Sequence, residues 1–348
     1  YLYLLAIAST FHPRDGEVSE RNLCHFAIAV PAHDEAAVIA DTVEQMKALD
    51  YPRDHFDIHI VADHCTDATA RLASSSGAMV HERDSGPRTG KGAALAWLFR
   101  RVLQDNRYDA VIVFDADTQV DAQFLRVVNR RLLEGAKAVQ GQHVISNPED
   151  GWFPALTWAM FLIDNRFQNL GRSSLGWSAK NMGDSICISA EVLRQIGWGE
   201  GLTEDYHLRQ KLLLRGIAIV YEPRALGYGE APQTWAQARA QRARWLRGTA
   251  EASQQCAGQL LREGIRNRDG ALLDGAVQAY MPSYSTLTVM SVGLLGLQLL
   301  LNAALGPLIS PLLLWSWFAV SLGLFLYPFL GLVLEGAPLK AYLMVLTG

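Results

Sequence analysis

The sequence predicts an α/β fold, with a Rossmann-like and mostly parallel sheet, followed by transmembrane and interfacial helices. Two observations support this prediction. Up to about Asp274, short apolar strands alternate with amphipathic helices in a mixed, charged sequence, as in βαβ units. The next 60 residues, 275–334, contain no Asp, Glu, Lys or Arg. The 348-residue chain therefore divides by composition into a globular part and an apolar part.

The periodicity of apolar residues predicts each element of the globular part. Strands are expected at 25–31, 56–62, 78–82 and 110–114, and helices at 35–49, 66–75 and 92–105. In a parallel sheet of this kind, ligands bind at the carboxyl ends of the strands. Polar residues gather at those ends in three segments, 31–35, 63–67 and 115–117. We therefore expect a ligand site at this edge of the sheet.

Membrane segments are predicted at both ends of the chain. Residues 284–305 and 311–334 each supply the roughly 20 apolar residues of a spanning helix, with Pro307 and Pro311 in an uncharged connection. Residues 1–10 are expected to be the end of a truncated N-terminal membrane helix, or alternatively a short buried element. The predicted organisation is a catalytic domain at 24–250, interfacial or connecting helices at 251–283, and a membrane region at 284–348 whose third element is truncated.

The distribution of basic residues predicts the orientation of the chain in the membrane. Arg262, Arg266, Arg268 and Lys340 flank the apolar segments on their far sides. By the positive-inside rule this places the globular domain in the cytosol. We expect an integral protein of the bacterial inner membrane.

Charge and cysteine spacing argue against two other classes of protein. The formal net charge of -4 gives no basic footprint, so no nucleic-acid partner is expected. The cysteines show neither C-x-x-C nor zinc-finger spacing, so we predict ordinary buried thiols in a reducing compartment rather than a disulfide framework or a structural zinc site. They are Cys24, Cys65, Cys187 and Cys256.

Two acidic motifs carry the expected chemistry. Asp115 and Asp117 follow an apolar strand and face the same side because they are two residues apart. Their oxygen atoms suit a divalent cation that neutralises a diphosphate. In the second motif, Thr203-Glu204-Asp205, a carboxylate is available to take a proton from a hydroxyl. The alternative for both motifs is helix capping.

A third motif, Gln241-Arg242-Ala243-Arg244-Trp245, places Gln241, Arg244 and Trp245 on one helical face. An indole binds the apolar face of a sugar, and a nearby guanidinium neutralises a leaving diphosphate. The alternative is a membrane-surface helix whose arginines contact lipid phosphates.

In this order and strand context, the motifs resemble the inverting family 2 glycosyltransferases with a GT-A fold. The resemblance is to the membrane-embedded branch that includes cellulose, hyaluronan and chitin synthases and ceramide glucosyltransferase. It runs from about residue 27 to residue 245 and continues less specifically into the membrane helices.

The resemblance implies roles for residues of the donor site. Asp63 is expected near the uracil of a UDP-sugar, and the turn from Pro31 to Glu35 around the nucleoside. Lys91, between two glycines at a helix start, matches a lysine near the diphosphate, a position that also suits an anion on physical grounds. Gln140 is expected beside the sugar pocket. The alternatives are a helix N-cap for Asp63 and a solvated loop residue for Lys91.

The resemblance also implies the catalytic assignments. Asp117 is the expected ligand of Mg²⁺ or Mn²⁺, and Asp115 is expected to contact ribose or metal-bound water. Asp205 is the expected base, with Glu204 beside it. Asp184 departs from the small or basic residues usual in the family, which leaves a role in acceptor choice open.

The implied function is transfer of a hexose or N-acetylhexosamine from a UDP-sugar to a lipid or glycolipid, forming a β-linkage. The alternative is a processive polysaccharide synthase, disfavoured because no F-x-V-T-x-K gating motif and only two complete helices are found. A non-catalytic membrane scaffold is opposed by the presence of Asp117, Asp205 and Trp245. A sugar-nucleotide pyrophosphorylase should show a Gly-rich, Arg-containing loop near the first strand and no membrane helices.

Overall fold

A computed structural model describes residues 1–11, 22–306 and 310–347. The described residues form one eight-stranded mixed sheet with helices on both faces. Pro307 of the predicted connection lies outside the described residues. The strands are β1 (Phe26–Ala32), β2 (Phe56–Asp63), β3 (Met79–Arg83), β4 (Ala110–Val113), β5 (Gln119–Val120), β6 (Ala138–Ile145), β7 (Ile186–Ser189) and β8 (Ile219–Gly229).

The helices fall into three groups along the described chain. An N-terminal helix precedes the sheet, nine helices accompany it or follow it directly, and four end the chain. They are α1 (Leu2–Ala8); α2 (Ile39–Lys47), α3 (Thr69–Ser75), α4 (Lys91–Val102), α5 (Phe124–Leu133), α6 (Trp152–Ile163), α7 (Gly171–Ser174), α8 (Ala190–Ile196), α9 (Glu204–Leu214) and α10 (Trp235–Asn267); and α11 (Gly270–Tyr280), α12 (Tyr284–Leu305), α13 (Pro311–Leu334) and α14 (Leu339–Thr347).

The sheet confirms the α/β prediction and has the order β3-β2-β1-β4-β7-β6-β8-β5. Strand β1 pairs in parallel with β2 and β4, β2 with β3, and β6 with β8. Strand β7 runs antiparallel to β4 and β6, and β5 runs antiparallel to β8. The carboxyl ends of β1, β2, β4, β6 and β8 therefore share one edge with the amino end of β7. This edge is where the polar segments meet.

Two apolar layers cover the sheet, one on each face. In β1, Phe26, Ile28 and Val30 pack in one layer, while Ala27 and Ala29 pack in the other. The first layer includes residues of α2, α3 and α5, and the second includes residues of α4, α8 and α9. Burial on both faces explains why the strands are continuous apolar runs.

Helices α2 and α3 begin later than predicted, at Ile39 and Thr69. The residues ahead of the two helices form turns that are hydrogen-bonded to each other. Asp34 Oδ1 accepts a hydrogen bond from the amide of Thr66 at 2.7 Å, and Asp67 Oδ2 accepts one from the amide of Ala36 at 3.1 Å. These bonds between distant segments use amide groups just ahead of each helix.

Helix α10 is a single helix of 33 residues that crosses the boundary drawn after residue 250. Its start is stabilised by a capping box between Thr234 and Gln237. It packs against α9 and α11. The globular domain and the connecting segment therefore share one element, and the boundary after residue 250 is corrected.

Helices α12 and α13 occupy the two predicted apolar segments, and both are long and apolar enough to cross a membrane by length and composition. Ser291 and Ser321 form a hydrogen bond between them at 2.6 Å. Helix α13 packs against α6 at Gly331, where an added Cβ would lie 3.2 Å from Ile163. Helix α14, the third predicted element, packs back on α6.

Helix α1 packs against α7 in the globular part. Leu5, Ala6 and Ala8 are buried, while Leu4 and Ile7 are exposed. The helix therefore has a buried face and an exposed apolar face.

Candidate active site

Lys91 links the Asp115 motif to the segment before β7. Its ammonium forms an ion pair with Asp115 Oδ1 and donates to the carbonyl oxygen of Gly183 at 2.5 Å. Burial alone would lower the pKa of Lys91, but the carboxylates of Asp115 and Glu204 raise it above its usual value. Lys91 is therefore a charged member of the site and not the solvated loop residue of the alternative.

Asp184 is buried behind the motif and holds its backbone. Oδ1 accepts hydrogen bonds from the amide of Asp115 at 3.0 Å and from Thr118 Oγ1 at 3.1 Å. Oδ2 accepts one from Ser185 Oγ at 3.0 Å and lies 3.0 Å from His143 Nδ1. Burial raises the pKa of Asp184, but the hydrogen bond and the charge of His143 oppose burial. The pKa of Asp184 therefore lies below its usual value. Both oxygens are used internally, so Asp184 positions the motif and does not face an acceptor.

Gln140 is fully buried, which corrects its expected place beside the sugar pocket. Its Nε2 donates to the carbonyl oxygen of Asp184 at 2.8 Å, and its Oε1 accepts from the amide of Met182 at 3.0 Å. The reason is its register in β6, directly opposite Ile186 of β7. Gln140 therefore supports the chain segment before β7.

Asp117 is the exposed carboxylate of the motif. Removal of water by the surrounding protein raises the pKa of Asp117, and the negative charges of Asp115, Asp184 and Glu230 raise it further. Burial likewise raises the pKa of Glu35, followed by the charges of Asp117 and Asp115. Mutually repelling carboxylates in one cleft are a donor set that suits a hard divalent cation. The residues present therefore fit Mg²⁺ or Mn²⁺.

Asp205 lies in the first turn of α9 and is only partly buried. Its Oδ1 accepts from the amide of Tyr206 at 2.7 Å, and its Oδ2 lies 3.1 Å from where a Cβ on Gly183 would be. Burial raises the pKa of Asp205, while the nearby charges of Lys91 and Arg244 oppose this effect. The geometry brings Asp205 close to the segment that also holds Lys91.

Thr203 stands at the N-cap position of α9, but its hydroxyl makes no capping bond. The helix-capping alternative for this motif therefore does not hold at Thr203. Within the described residues, Thr203 Oγ1 is buried without a hydrogen-bond partner. A Cβ on Gly248 of α10 would lie 2.7 Å from Thr203 Cγ2 and 2.9 Å from its amide nitrogen. Helix α10, which carries the third motif, thus docks directly on the second motif.

Gly248→Ala is expected to separate these two motifs, because the new methyl group overlaps Thr203. We expect a destabilisation of about 1–3 kcal/mol and a loss of activity. The matched control is Gly258→Ala in the same helix, where an added Cβ meets no atom within 4 Å. The control should be neutral or stabilising by up to about 1 kcal/mol. Equal effects of the two substitutions on chemical denaturation would contradict this packing.

Glu204 is buried beside Gly92. A Cβ added to Gly92 would lie 2.7 Å from the Cβ of Glu204. Burial, and then the charge of Asp205, raises the pKa of Glu204 from 4.5 to about 7. The folded protein therefore holds this proton more tightly than the unfolded chain. Its contribution to stability is fully present below pH 4.5 and is lost as pH rises through about 7.

Glu204→Gln should remove this pH dependence, because the amide does not titrate. The shift corresponds to up to about 3 kcal/mol in the free energy of unfolding. Denaturation at about pH 5 and about pH 8 should differ more for the wild type than for the variant. Glu200→Gln, on the exposed loop before α9, is the control and should behave as the wild type. The same pH dependence in all three proteins would contradict the assignment.

Asp63 ends β2 and is buried. Its Oδ1 pairs with Arg83 Nη1 and lies 2.9 Å from His64 Nδ1. The alternative of a helix N-cap does not hold, since α3 begins six residues later at Thr69. Pro31 lies in the neighbouring strand β1, so the nucleoside residues expected from the sequence do meet at this edge.

Gln241 and Arg244 line an open groove of about 700 Å³ between α10 and the segment 230–233. Glu230 also lines the groove, and its charge is one of the smaller causes, after burial and the charge of Asp115, that raise the pKa of Asp117. Trp245 is 38% exposed and lies outside the groove lining. The three residues of the third motif are thus on one helix, but only two of them face this groove.

Sequence reasoning missed a buried ion cluster behind α9. Asp274 of α11 accepts from Arg172 Nε at 2.9 Å and from Arg209 Nη2 at 3.1 Å, and all three residues are nearly inaccessible. Tyr1 also donates its hydroxyl hydrogen to Asp274 at 2.5 Å. No local pattern marks these residues, because they are far apart in the sequence.

Known proteins resemble this chain in sequence and in fold. The beta-monoglucosyldiacylglycerol synthase of Synechocystis sp. is 29% identical over 245 residues, covering 67% of this chain and 49% of that protein. The poly-beta-1,6-N-acetyl-D-glucosamine synthase of Staphylococcus aureus is 28% identical over 232 residues, covering 63% of this chain and 53% of that protein. The chain therefore spans about half the length of these relatives.

Among solved structures, a mannosyltransferase from Pyrobaculum calidifontis, in complex with GDP-Man and Mn²⁺, matches with a TM-score of 0.63. Identity is 18%, over 95% of this chain and 93% of that chain, so the likeness is one of fold. The model of the family described as "Glycosyltransferase like family 2" matches residues 24–248, which is more than half of the chain and includes all three motifs. The chain therefore belongs to glycosyltransferase family 2 and has the GT-A fold.

Proposed function

We propose that this enzyme transfers a hexose or N-acetylhexosamine from a UDP-sugar to a lipid or glycolipid acceptor, with formation of a β-linkage. The observation that carries the proposal is the convergence of three kinds of group at one sheet edge. These are the carboxylates of Asp115 and Asp117, the cation of Lys91, and the partly open carboxylate of Asp205. The two carboxylates would hold a cation that neutralises the diphosphate, Lys91 would bind the diphosphate, and Asp205 would remove the acceptor proton.

The donor is proposed to bind with its diphosphate between Lys91 and the Asp115 motif. Asp117, with Asp115, would hold Mg²⁺ or Mn²⁺, which supplies positive charge to a departing diphosphate. Asp63 is proposed to contact the uracil of the donor through Oδ2, because its contacts with Arg83 and His64 both use Oδ1. Pro31 and Glu35 border the same edge and are proposed to enclose the nucleoside.

Asp205 is proposed to act as the general base in a direct displacement. Its carboxylate takes the proton from the acceptor hydroxyl, whose oxygen then forms a bond to the anomeric carbon. The bond from that carbon to the diphosphate breaks on the opposite side, and UDP leaves with the electron pair. An α-linked donor thus gives a β-linked product. Glu204 lies beside Asp205 but is buried, so it is not proposed to remove the proton, and Arg244 is proposed to neutralise the leaving group.

The acceptor is proposed to approach along α10. Gln241 and Arg244 line a groove together with Glu230, whose charge acts on Asp117, and the exposed face of Trp245 offers an apolar surface for a sugar or headgroup. A relative named beta-monoglucosyldiacylglycerol synthase supports a lipid acceptor. With α12 and α13 as membrane spans, the site would face the cytosolic side of the bacterial inner membrane, beside its lipid substrate.

A processive polysaccharide synthase is the second candidate. The specific observation in its favour is the similarity to a poly-beta-1,6-N-acetyl-D-glucosamine synthase. Both candidates use the same donor site and the same base. They differ in what the new sugar is attached to and in how many sugars are added.

Product size separates the candidates. The chain in detergent is incubated with Mn²⁺, a panel of UDP-sugars and a lipid extract, and the products are analysed by mass. The proposal predicts a lipid whose mass increases by one sugar. A ladder or a polymer would favour the synthase. If no UDP-sugar is consumed under conditions in which UDP binds, the enzymatic proposal fails and the scaffold alternative is supported.

A further inference from the structure

Three side chains with different ligand atoms meet at the same edge of the sheet as the Asp115 motif, at the ends of β1 and β2. They are His33 and Asp34, after β1, and Cys65, after β2. One nitrogen, one oxygen and one sulfur atom of these residues lie within 4.8 Å of one another. His33 Nε2 and Asp34 Oδ2 are 3.7 Å apart. Atoms at such separations can bind one ion in common.

The hydrogen bonds around these residues leave the ligand atoms available. His33 Nδ1 lies 2.8 Å from the carbonyl oxygen of Asp63, which only accepts, so Nδ1 carries the proton and Nε2 has the lone pair. Metal-binding histidines are commonly oriented by a bond of this kind. Asp34 Oδ1 accepts from the amide of Thr66 at 2.7 Å, and Oδ2 accepts from Thr66 Oγ1 at 3.2 Å, which leaves Oδ2 a second lone pair on the side of His33.

The sulfur atom is also within reach. Cys65 is partly exposed, and its Sγ donates to the carbonyl oxygen of Ala32 at 3.5 Å. Metal binding would require this weak bond to be given up, with the thiol proton released to solvent. No oxidation or reduction is involved. Asp34 is exposed, so a water molecule has room to complete the coordination.

We propose that His33, Asp34 and Cys65 form a second metal site, which prefers a borderline-soft divalent cation such as Zn²⁺ to Mg²⁺ or Mn²⁺. A nitrogen, an oxygen and a thiolate ligand, with one open position, suit tetrahedral Zn²⁺. The carboxylates around Asp117 offer only oxygen and suit Mg²⁺ or Mn²⁺. The bound ion would tie the turn after β1 to the turn after β2. The placement of this ion beside a nucleoside rests on the proposed function. The proposal that the three residues bind a metal does not depend on it.

Cobalt provides the test, because Co²⁺ bound to a thiolate absorbs in the near ultraviolet. The full chain is freed of metal with a chelator and titrated with Co²⁺, and Zn²⁺ is then added. We expect one thiolate-to-cobalt band that Zn²⁺ abolishes. Cys65→Ser should lose the band, and Cys24→Ser, at the other partly buried cysteine, should keep it. Asp117→Asn should also keep it, which distinguishes the two metal sites.

A second variant distinguishes the loss of a metal ligand from misfolding of the protein. His33→Gln keeps the thiol and should weaken Co²⁺ affinity by more than the ~10–100-fold typical of losing an outer-sphere partner. Zn²⁺ should raise the thermal unfolding midpoint of the wild type and of Cys24→Ser, but not of Cys65→Ser. Absence of the band in the wild type, or its persistence in Cys65→Ser, would overturn the proposal. None of these measurements uses a sugar nucleotide, so a failure here is distinct from a failure of the proposed function.

Discussion

Asp205→Asn is expected to lower the rate of sugar transfer by at least the ~10²- to 10⁴-fold typical of a lost general base. The amide keeps the shape of the side chain and can still accept from the amide of Tyr206. It has no basic electron pair for the acceptor proton. Donor affinity should stay within a few-fold of wild type, because the proposed diphosphate ligands, Lys91 and Asp117, are unchanged. Product formation and UDP-sugar binding are measured side by side.

Glu204→Gln is the matched control for this prediction. Glu204 is adjacent in sequence but nearly inaccessible, whereas Asp205 is partly open. We therefore expect Glu204→Gln to retain far more transfer than Asp205→Asn. Near-normal transfer by Asp205→Asn, together with a large loss in Glu204→Gln, would move the base to Glu204.

Asp117→Asn is expected to abolish donor binding itself, because it withdraws a charged ligand from the proposed cation. Chelation of the wild type with EDTA should have the same effect, and Mn²⁺ or Mg²⁺ should restore both binding and transfer. Calorimetric titration with a UDP-sugar, with and without metal, measures this directly.

The control for Asp117 is Glu230→Gln, which removes a nearby negative charge without removing the proposed metal ligand. This variant should keep metal-dependent donor binding. Undiminished binding and transfer in EDTA would remove the metal from the proposal and leave Lys91 and Arg244 to neutralise the diphosphate.

The sequence was sufficient to predict four of the eight described strands and the edge of the sheet on which the site is built. Strand β4 could be predicted because its residues are buried on both faces, and the position of Asp115 and Asp117 follows from the end of that strand. Lys91 was predicted from its flanking glycines, and its ion pair with Asp115 agrees with the expected proximity. These predictions depend on a few consecutive residues.

The features that the sequence did not reveal depend on contacts between distant segments. Gln140 looked like a pocket residue, but strand pairing with β7 buries it. Thr203 had the local sequence of a helix cap, but packing of α10 decides its surroundings. The role of Asp184 depends on His143, which lies 41 residues away.

Cysteine spacing also gave no sign of the group formed with His33 and Asp34. Cys65 is separated from His33 in the sequence, and only the parallel pairing of β1 with β2 brings the two turns together. Spacing rules detect metal ligands only when one local motif supplies them. The neighbours of Cys65 therefore could be identified only from the three-dimensional structure.

The anomeric configuration of the product tests the central claim most directly. A product formed by the wild type from an α-linked UDP-sugar and Mn²⁺ is isolated with its lipid and examined by NMR, in parallel with Asp205→Asn. Direct displacement with Asp205 as base predicts a β-linked sugar on the lipid from the wild type and at most traces from the variant. An α-linked product, or equal amounts of product from both proteins, would contradict the proposed mechanism.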